Sequence, residues 1–277
     1  MPLDRKYIST GLRQLGIGPG MLVFVHASLS SFGIVEGGAQ NVVEAILDVL
    51  GPQGTLVVPI FHDYFLKGPG QIWNRERSPS KMGAVSEMVR TWPGSHRSAH
   101  PTHPIAAIGP LSEELTAIDC DSAFGAGSAL HNLVERNAAI LLIGVGYSVC
   151  TIMHVAEEIH SVTYRRWVKL SGTVVDGITK KVNIPFYRRK IGYSNCFSRC
   201  GRDLETLGKV ALVRIGQSTV RRLWAKELLE HALEKLRENP MYLAKRSGPL
   251  ETGIQLLQRI WEGVRTWIYW AREFNAK

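Results

Sequence analysis

The chain has 277 residues, 45% hydrophobic and 21% charged, with 27 Gly and 13 Pro in no fixed period. These values exclude a disordered, collagen-like or low-complexity chain and leave room for one large domain or two modest ones. Charge is divided unevenly: up to Thr163 there are 10 Lys and Arg against 14 Asp and Glu, and from Tyr164 onward 23 against 10. A basic second half suits an anionic partner, whether nucleic acid, a membrane surface or a phosphorylated small molecule, and equally suits a solvated basic surface. The N-terminus lacks an apolar signal core and no run approaches the roughly 18 apolar residues of a membrane span, so the expectation is a soluble, cytoplasmic protein. Cys120, Cys150, Cys196 and Cys200 match no paired metal spacing, and no metal is expected.

In chain order, Ser9 to Leu15 reads as a short helix and Met21 to Val25 as a buried strand. Apolar side chains at Val42, Val43, Ile46, Leu47 and Leu50 have helical spacing, and Gly51-Pro-Gln-Gly54 ends that helix before the apolar run Thr55 to Phe61. Strand, helix, strand in this span predicts a βαβ unit and a parallel sheet covered on both faces. Gly68 to Lys81 reads as a surface loop, and Gly83 to Thr91 as a helix. His103 to Gly109 and Ala138 to Gly144 read as buried strands, the second leading to a helix over Thr151 to Ile159. Trp167 to Val175 and Gly208 to Ile215 alternate, more antiparallel in character. Ser218 to Glu238 is predicted to be one amphipathic helix, and Pro249 to Phe274 another that carries Trp261, Trp267 and Trp270. The fold class is therefore α/β: a mostly parallel central sheet flanked by helices, with a more antiparallel second half and C-terminal helices.

Few stretches carry chemistry by themselves. Gly144-Val-Gly146 lacks the third glycine of a dinucleotide fingerprint. His154 and His160 are six apart, which is neither zinc-protease spacing nor one helix face. His100-Pro-Thr-His103 reads as a loop packing motif. The loop from His26 to Gly38 offers three hydroxyls and three glycines between a strand and a helix start, where free N–H groups favour an anionic or amide-rich ligand; the Ser run reads equally as turn chemistry and capping. A helical His with a Glu one turn on is, by itself, more often a surface or core pair than a catalytic one.

The order of the pieces is more specific than any one of them. H-x-S-L-S-S-x-G-x-V-x-G-G from His26, R-S-x-H-P from Arg97, A-A-x-G from Ala106, F-G-x-G-S from Phe124, L-L-I-G-V-G, and T-x-x-H-x-A-E from Thr151 succeed one another. The series resembles the aminoglycoside 3-N-acetyltransferase family, firmly over Ile8 to Glu158 and loosely over Lys169 to Leu236. The resemblance implies an acetyl-CoA-dependent N-acetyltransferase acting on a primary amine of an aminoglycoside or amino sugar, with residues 1–245 as the catalytic domain and 246–277 as a helical tail. It implies CoA binding by Ser28, Leu29, Ser30, Ser31, Gly33, Gly37 and Gly38, with Arg97 and Ser98 at a CoA phosphate. It implies His154 as the catalytic base. Helical spacing then offers Glu157, at i+3, as its carboxylate, with Glu158 at i+4 also in reach, and puts Thr151, at i−3, on the same face at the thioester. Partners are then CoA and a small amine, with no nucleic acid; pairing as a homodimer is left open.

The charge points to a variant of that activity. Polycationic aminoglycosides call for an acidic cleft, whereas Tyr187-Arg-Arg-Lys190, Arg199 and Arg202 fall where the acceptor site is expected. An anionic or nucleotide-linked amino sugar is the alternative acceptor, and a basic nucleic-acid- or membrane-associated protein is the alternative from another class.

Overall fold

A computed structural model describes residues 2–118 and 120–275, without the side chains of 267 and 269–275, so Trp267 and Trp270 of the tail lie outside the described residues. In chain order the elements are α1 (Arg5–Gln14), β1 (Leu22–Ala27), α2 (Gly38–Leu50), β2 (Thr55–Pro59), β3 (Ile72–Asn74), α3 (Ala84–Arg90), β4 (His96–Arg97), β5 (Ile105–Ile108), α4 (Ser112–Thr116), α5 (Ala129–Glu135) and β6 (Ala139–Ile143). Next come α6 (Met153–Ile159), β7 (Arg165–Asp176), β8 (Ile178–Arg189), β9 (Tyr193–Asn195), α7 (Phe197–Thr206), β10 (Ala211–Ile215), β11 (Ser218–Trp224), α8 (Ala225–Glu238), β12 (Ala244–Arg246) and α9 (Pro249–Asn275).

The main sheet has the order β10-β11-β6-β1-β2-β5-β4. Its centre, β6-β1-β2, is parallel, and the pairs outward on both sides are antiparallel. The parallel centre arises from the βαβ crossover through α2, and its strands are apolar on both faces as such strands must be. Alternation along β1 sends Val23 and Val25 into the core under α1, α2 and α3, while Phe24 enters the opposite core under α5, α6 and α8. β3, β7 and β8 form a second sheet and β9 with β12 a third.

Two sequence expectations change, and the docking of the tail adds a feature the sequence did not announce. The helix expected over Ser218 to Glu238 begins only at Ala225; Ser218–Trp224 is strand β11, because a tight turn at Gly216-Gln217 folds it onto β10 and places it in register with β6. Ser218, Val220 and Leu223 are fully buried along that strand. Within the loop expected over Gly68 to Lys81, Ile72–Asn74 pairs with β7, anchored by the fully buried Trp73. The tail is helical, but α9 turns its polar stripe inward. Glu251 accepts from Ser194, Gln255 accepts from the Gly192 amide at 2.8 Å, Arg259 donates to the Arg189 carbonyl at 3.1 Å, and Glu262 accepts from Arg188 at 2.6 Å. Leu250, Ile254, Leu257 and Trp261 are left exposed.

Candidate active site

Strand β1 has β2 on one side and β6 on the other. Its following helix α2 packs on one face of the sheet, whereas α6, which comes after β6, packs on the other. Connections that leave in opposite directions open a crevice beyond the carboxyl ends of the two strands, where ligands bind in open α/β sheets. The loop after β1 is the Ser-Gly stretch, and the loop after β6 leads to His154. They touch: the Ser28 amide donates to the Ile143 carbonyl at 2.9 Å. A Cβ on Gly144, whose φ is +64°, would fall 1.7 Å from the Ser31 hydroxyl.

On one side of this crevice lies a cavity of about 700 Å³ lined by Ser28, Leu29, Ser30, Gly33 and Gly38 together with Lys81 to Ala84. The starts of α2 and α3, neither capped by a side chain, meet there beside the Ser28 and Ser30 hydroxyls, which lie 3.1 Å apart. Ser31 and Gly37 belong to the same loop but serve its shape. Ser31 donates to the Ser28 carbonyl at 2.6 Å and lies 3.0 Å from the Ser218 hydroxyl, and Gly37, at φ +64°, caps α2. Arg97 and Ser98 are elsewhere. Arg97 lies over the Trp73 ring at 5.6 Å with its guanidinium nitrogens buried and without hydrogen-bond partners, and Ser98 accepts from the Ile105 amide at 2.9 Å. Lys81 to Ala84 carried no sequence signal beyond a loop end and a helix start.

On the other side is His154. Its Nδ1 is 2.5 Å from Glu157 Oε2, and Arg165 Nε stands 2.7 Å from that oxygen. Glu157 is fully buried. Burial pushes its carboxyl up, but Arg165 and then His154 more than offset this and hold it below the usual range. Two contacts compete at Nδ1: the ionised carboxylate requires a proton there, whereas Arg165 Nη2, which can only donate, stands 2.9 Å away and requires a lone pair; Glu157, at the shorter distance, favours the tautomer that leaves the Nε2 lone pair basic. Burial, reinforced by Arg165 and opposed by Glu157, lowers the imidazole pKa and keeps the ring neutral at pH 7. Phe124 and Phe197 pack on the ring, each with centroids 4.9 Å away. Glu158, the other carboxylate in reach along the helix, turns away and accepts from Ser122 at 2.6 Å.

Thr151 stands one turn before His154 and donates to the Val149 carbonyl at 3.3 Å. Arg165, which orients the pair and donates to the Tyr187 carbonyl at 2.9 Å, was legible in the sequence only as part of a basic half. His103 is half-buried among the rings of Phe61, Phe124 and Phe186 and shares a hydrogen bond with Thr102 at 2.9 Å. A second cavity, of about 230 Å³, reaches His154 between β8 and α9. Arg188, Arg189 and Lys190 line it, whereas Arg199 and Arg202, expected there, do not; Arg199 instead lies over Tyr242 and donates to its carbonyl at 3.1 Å. Among the described residues no cluster of His, Cys, Asp and Glu is placed to hold a metal ion, and no helix is long and apolar enough to cross a membrane.

The family model described as aminoglycoside 3-N-acetyltransferase matches residues 24–237, which includes both loops of the crevice. The chain belongs to this family. It is 33% identical over 184 residues to aminoglycoside N(3)-acetyltransferase III of Salmonella sp, an alignment covering 59% of this chain and 63% of that relative. The chain thus spans less than two thirds of the length of the curated relatives of that group. Aminoglycoside N(3)-acetyltransferase III of Pseudomonas aeruginosa is 25% identical over 255 residues, covering 85% of this chain and 94% of the relative. Among solved structures, aminoglycoside acetyltransferase AAC(3)-Xa superposes with a TM-score of 0.79 at 26% identity, covering 87% of this chain and 94% of that one. Sisomicin-bound AAC-VIa does so with a TM-score of 0.79 at 25% identity, covering 86% and 99%. The family match ends before β12 and α9.

Proposed function

We propose that the chain transfers the acetyl group of acetyl-CoA to a primary amine, with His154 as general base. The observation that carries this reading is the bond from the fully buried Glu157 to His154, held by Arg165, on the helix that follows β6, whose end meets the Ser-Gly loop where the Ser28 amide donates to the Ile143 carbonyl. CoA lies along Ser28, Ser30, Gly33 and Gly38, where helix-start amides and hydroxyls answer its phosphate and amide groups. Ser31 and Gly37 keep that loop in shape. Arg97 and Ser98 stand outside the cavity and have no role in this scheme.

A neutral imidazole with Nε2 free takes the proton from the attacking nitrogen as the new C–N bond forms and the C–S bond breaks. Glu157 holds the tautomer and stabilises the imidazolium. The departing thiolate recovers a proton from His154. Thr151 takes the thioester oxygen when its hydroxyl leaves the Val149 carbonyl. Residues 1–245 carry this chemistry and 246–277 add the tail. The test is thiol release from acetyl-CoA against aminoglycosides, amino sugars and nucleotide amino sugars. Acceptor-dependent release is expected; release from none of them, with CoA bound, overturns the proposal.

A further inference from the structure

The cavity at His154 is built largely from the basic half and from the tail outside the family match. Arg165, Arg188, Arg189, Lys190 and Arg259 line it, against one lining carboxylate, Glu262. Glu262 is already engaged, by Arg188 at 2.6 Å and Arg259 at 3.4 Å, and Arg165 is answered by Glu157. The remaining cations bond to neutral oxygens. Arg189 donates to the Asn195 side-chain carbonyl at 2.6 Å and Lys190 to the Thr163 carbonyl at 2.6 Å. Such bonds orient a cation and leave its charge uncompensated. Burial and the neighbouring Arg165 lower the Arg189 pKa, as crowding of like charge requires. A ligand with several ammonium groups meets this wall unfavourably, while an anion is drawn to it.

We propose that the acceptor of this site is an amine that also carries a phosphate, its amine at His154 and its anion against Lys190, Arg189 and Arg259. The proposal rests on acyl transfer at His154. Lys190 and Arg259 act here as specificity-determining residues, since they touch the anion and not the reacting atoms. The tail helix α9 contributes by bringing Arg259 to the cavity through the polar stripe it turns inward.

The test compares kcat/KM for glucosamine 6-phosphate, glucosamine and kanamycin, with acetyl-CoA saturating, at about 0.02 M and 0.3 M salt. The phosphorylated amine is expected to exceed glucosamine by at least about tenfold, mainly through KM, with the advantage shrinking at higher salt because screening lengths fall. In Arg259→Gln and Lys190→Gln the ratio of phosphorylated to neutral substrate falls several-fold, and Arg259→Lys restores most of it. Equal or better turnover of kanamycin at low salt, or an unchanged ratio in both Gln variants, overturns the proposal while leaving the acyl-transfer reading intact. Turnover of no amine, with CoA still raising the Tm, fails both.

Discussion

Replacing Glu157 by Gln keeps its size and removes its charge, and the geometry around it sets the cost. The carboxylate is fully buried, 2.5 Å from His154 Nδ1 and 2.7 Å from Arg165 Nε, and Arg165 is itself buried. Removing one member of a buried ion pair costs about 3–5 kcal/mol, because the other charge is left without a counter-ion. Arg165 keeps its bond to the Tyr187 carbonyl, so a loss near about 3 kcal/mol is expected. The effect on turnover has a separate origin. The amide can meet Nδ1 through its oxygen or its nitrogen, so the tautomer with a free Nε2 is no longer favoured, and the imidazolium loses its counter-charge. A fall in kcat of about 10²–10⁴-fold is expected near neutral pH, the range for impaired general-base catalysis. Urea unfolding and steady-state thiol release on the same preparation measure both effects. A kcat within about threefold of wild type, in a protein that has lost stability as expected, would refute the assignment of Glu157 to His154's chemistry and leave it a structural pair.

Acid should destabilise the fold through its buried histidines. Burial holds His26, and burial with the charge of Arg97 holds His62, down to about 3, and His103 also lies well below its ordinary value. Their folded pKa values are lower than their unfolded ones, so the unfolded chain binds more protons and stability falls as pH drops from 6.5 towards 3, by about 2 kcal/mol per fully buried ring between pH 6.5 and 5; urea midpoints that do not change between pH 7 and 5 would contradict this. Gly144→Ala meets the Ser31 hydroxyl at a backbone angle that side chains avoid, so it should cost about 1–3 kcal/mol and weaken the CoA-induced rise in Tm, a result that thermal melts with and without CoA would check.

The parts of the site that the sequence displayed are those made by consecutive residues. The Ser-Gly loop is a single run between strand and helix, and Glu157 is one turn from His154 on the same helix. Choosing Glu157 over Glu158 needed the structure, because only packing turned Glu158 towards Ser122. Arg165 comes from the next element, and Phe124 and Phe197 come from distant segments, so no local period could bring them to His154. The parallel centre of the sheet was legible through the α2 crossover and its apolar strands. Strand β11 was not: its apolar residues also fit a helical spacing that runs on into α8, and pairing with β6 decided the matter. The inward polar face of α9 had no sequence signature at all, since hydrophobic periodicity gives the existence of a helix and says nothing of which face it docks.

The central claim is that His154 Nε2 takes the proton from the attacking amine. Its most direct measurement is the rate of acetyl transfer by wild type and His154→Ala under saturating acetyl-CoA and acceptor, with CoA affinity determined on the same samples. A fall in kcat of about 10²–10⁴-fold, with CoA affinity within about threefold of wild type, is the expected result. Retained turnover in His154→Ala would contradict the account and place the base elsewhere in the crevice.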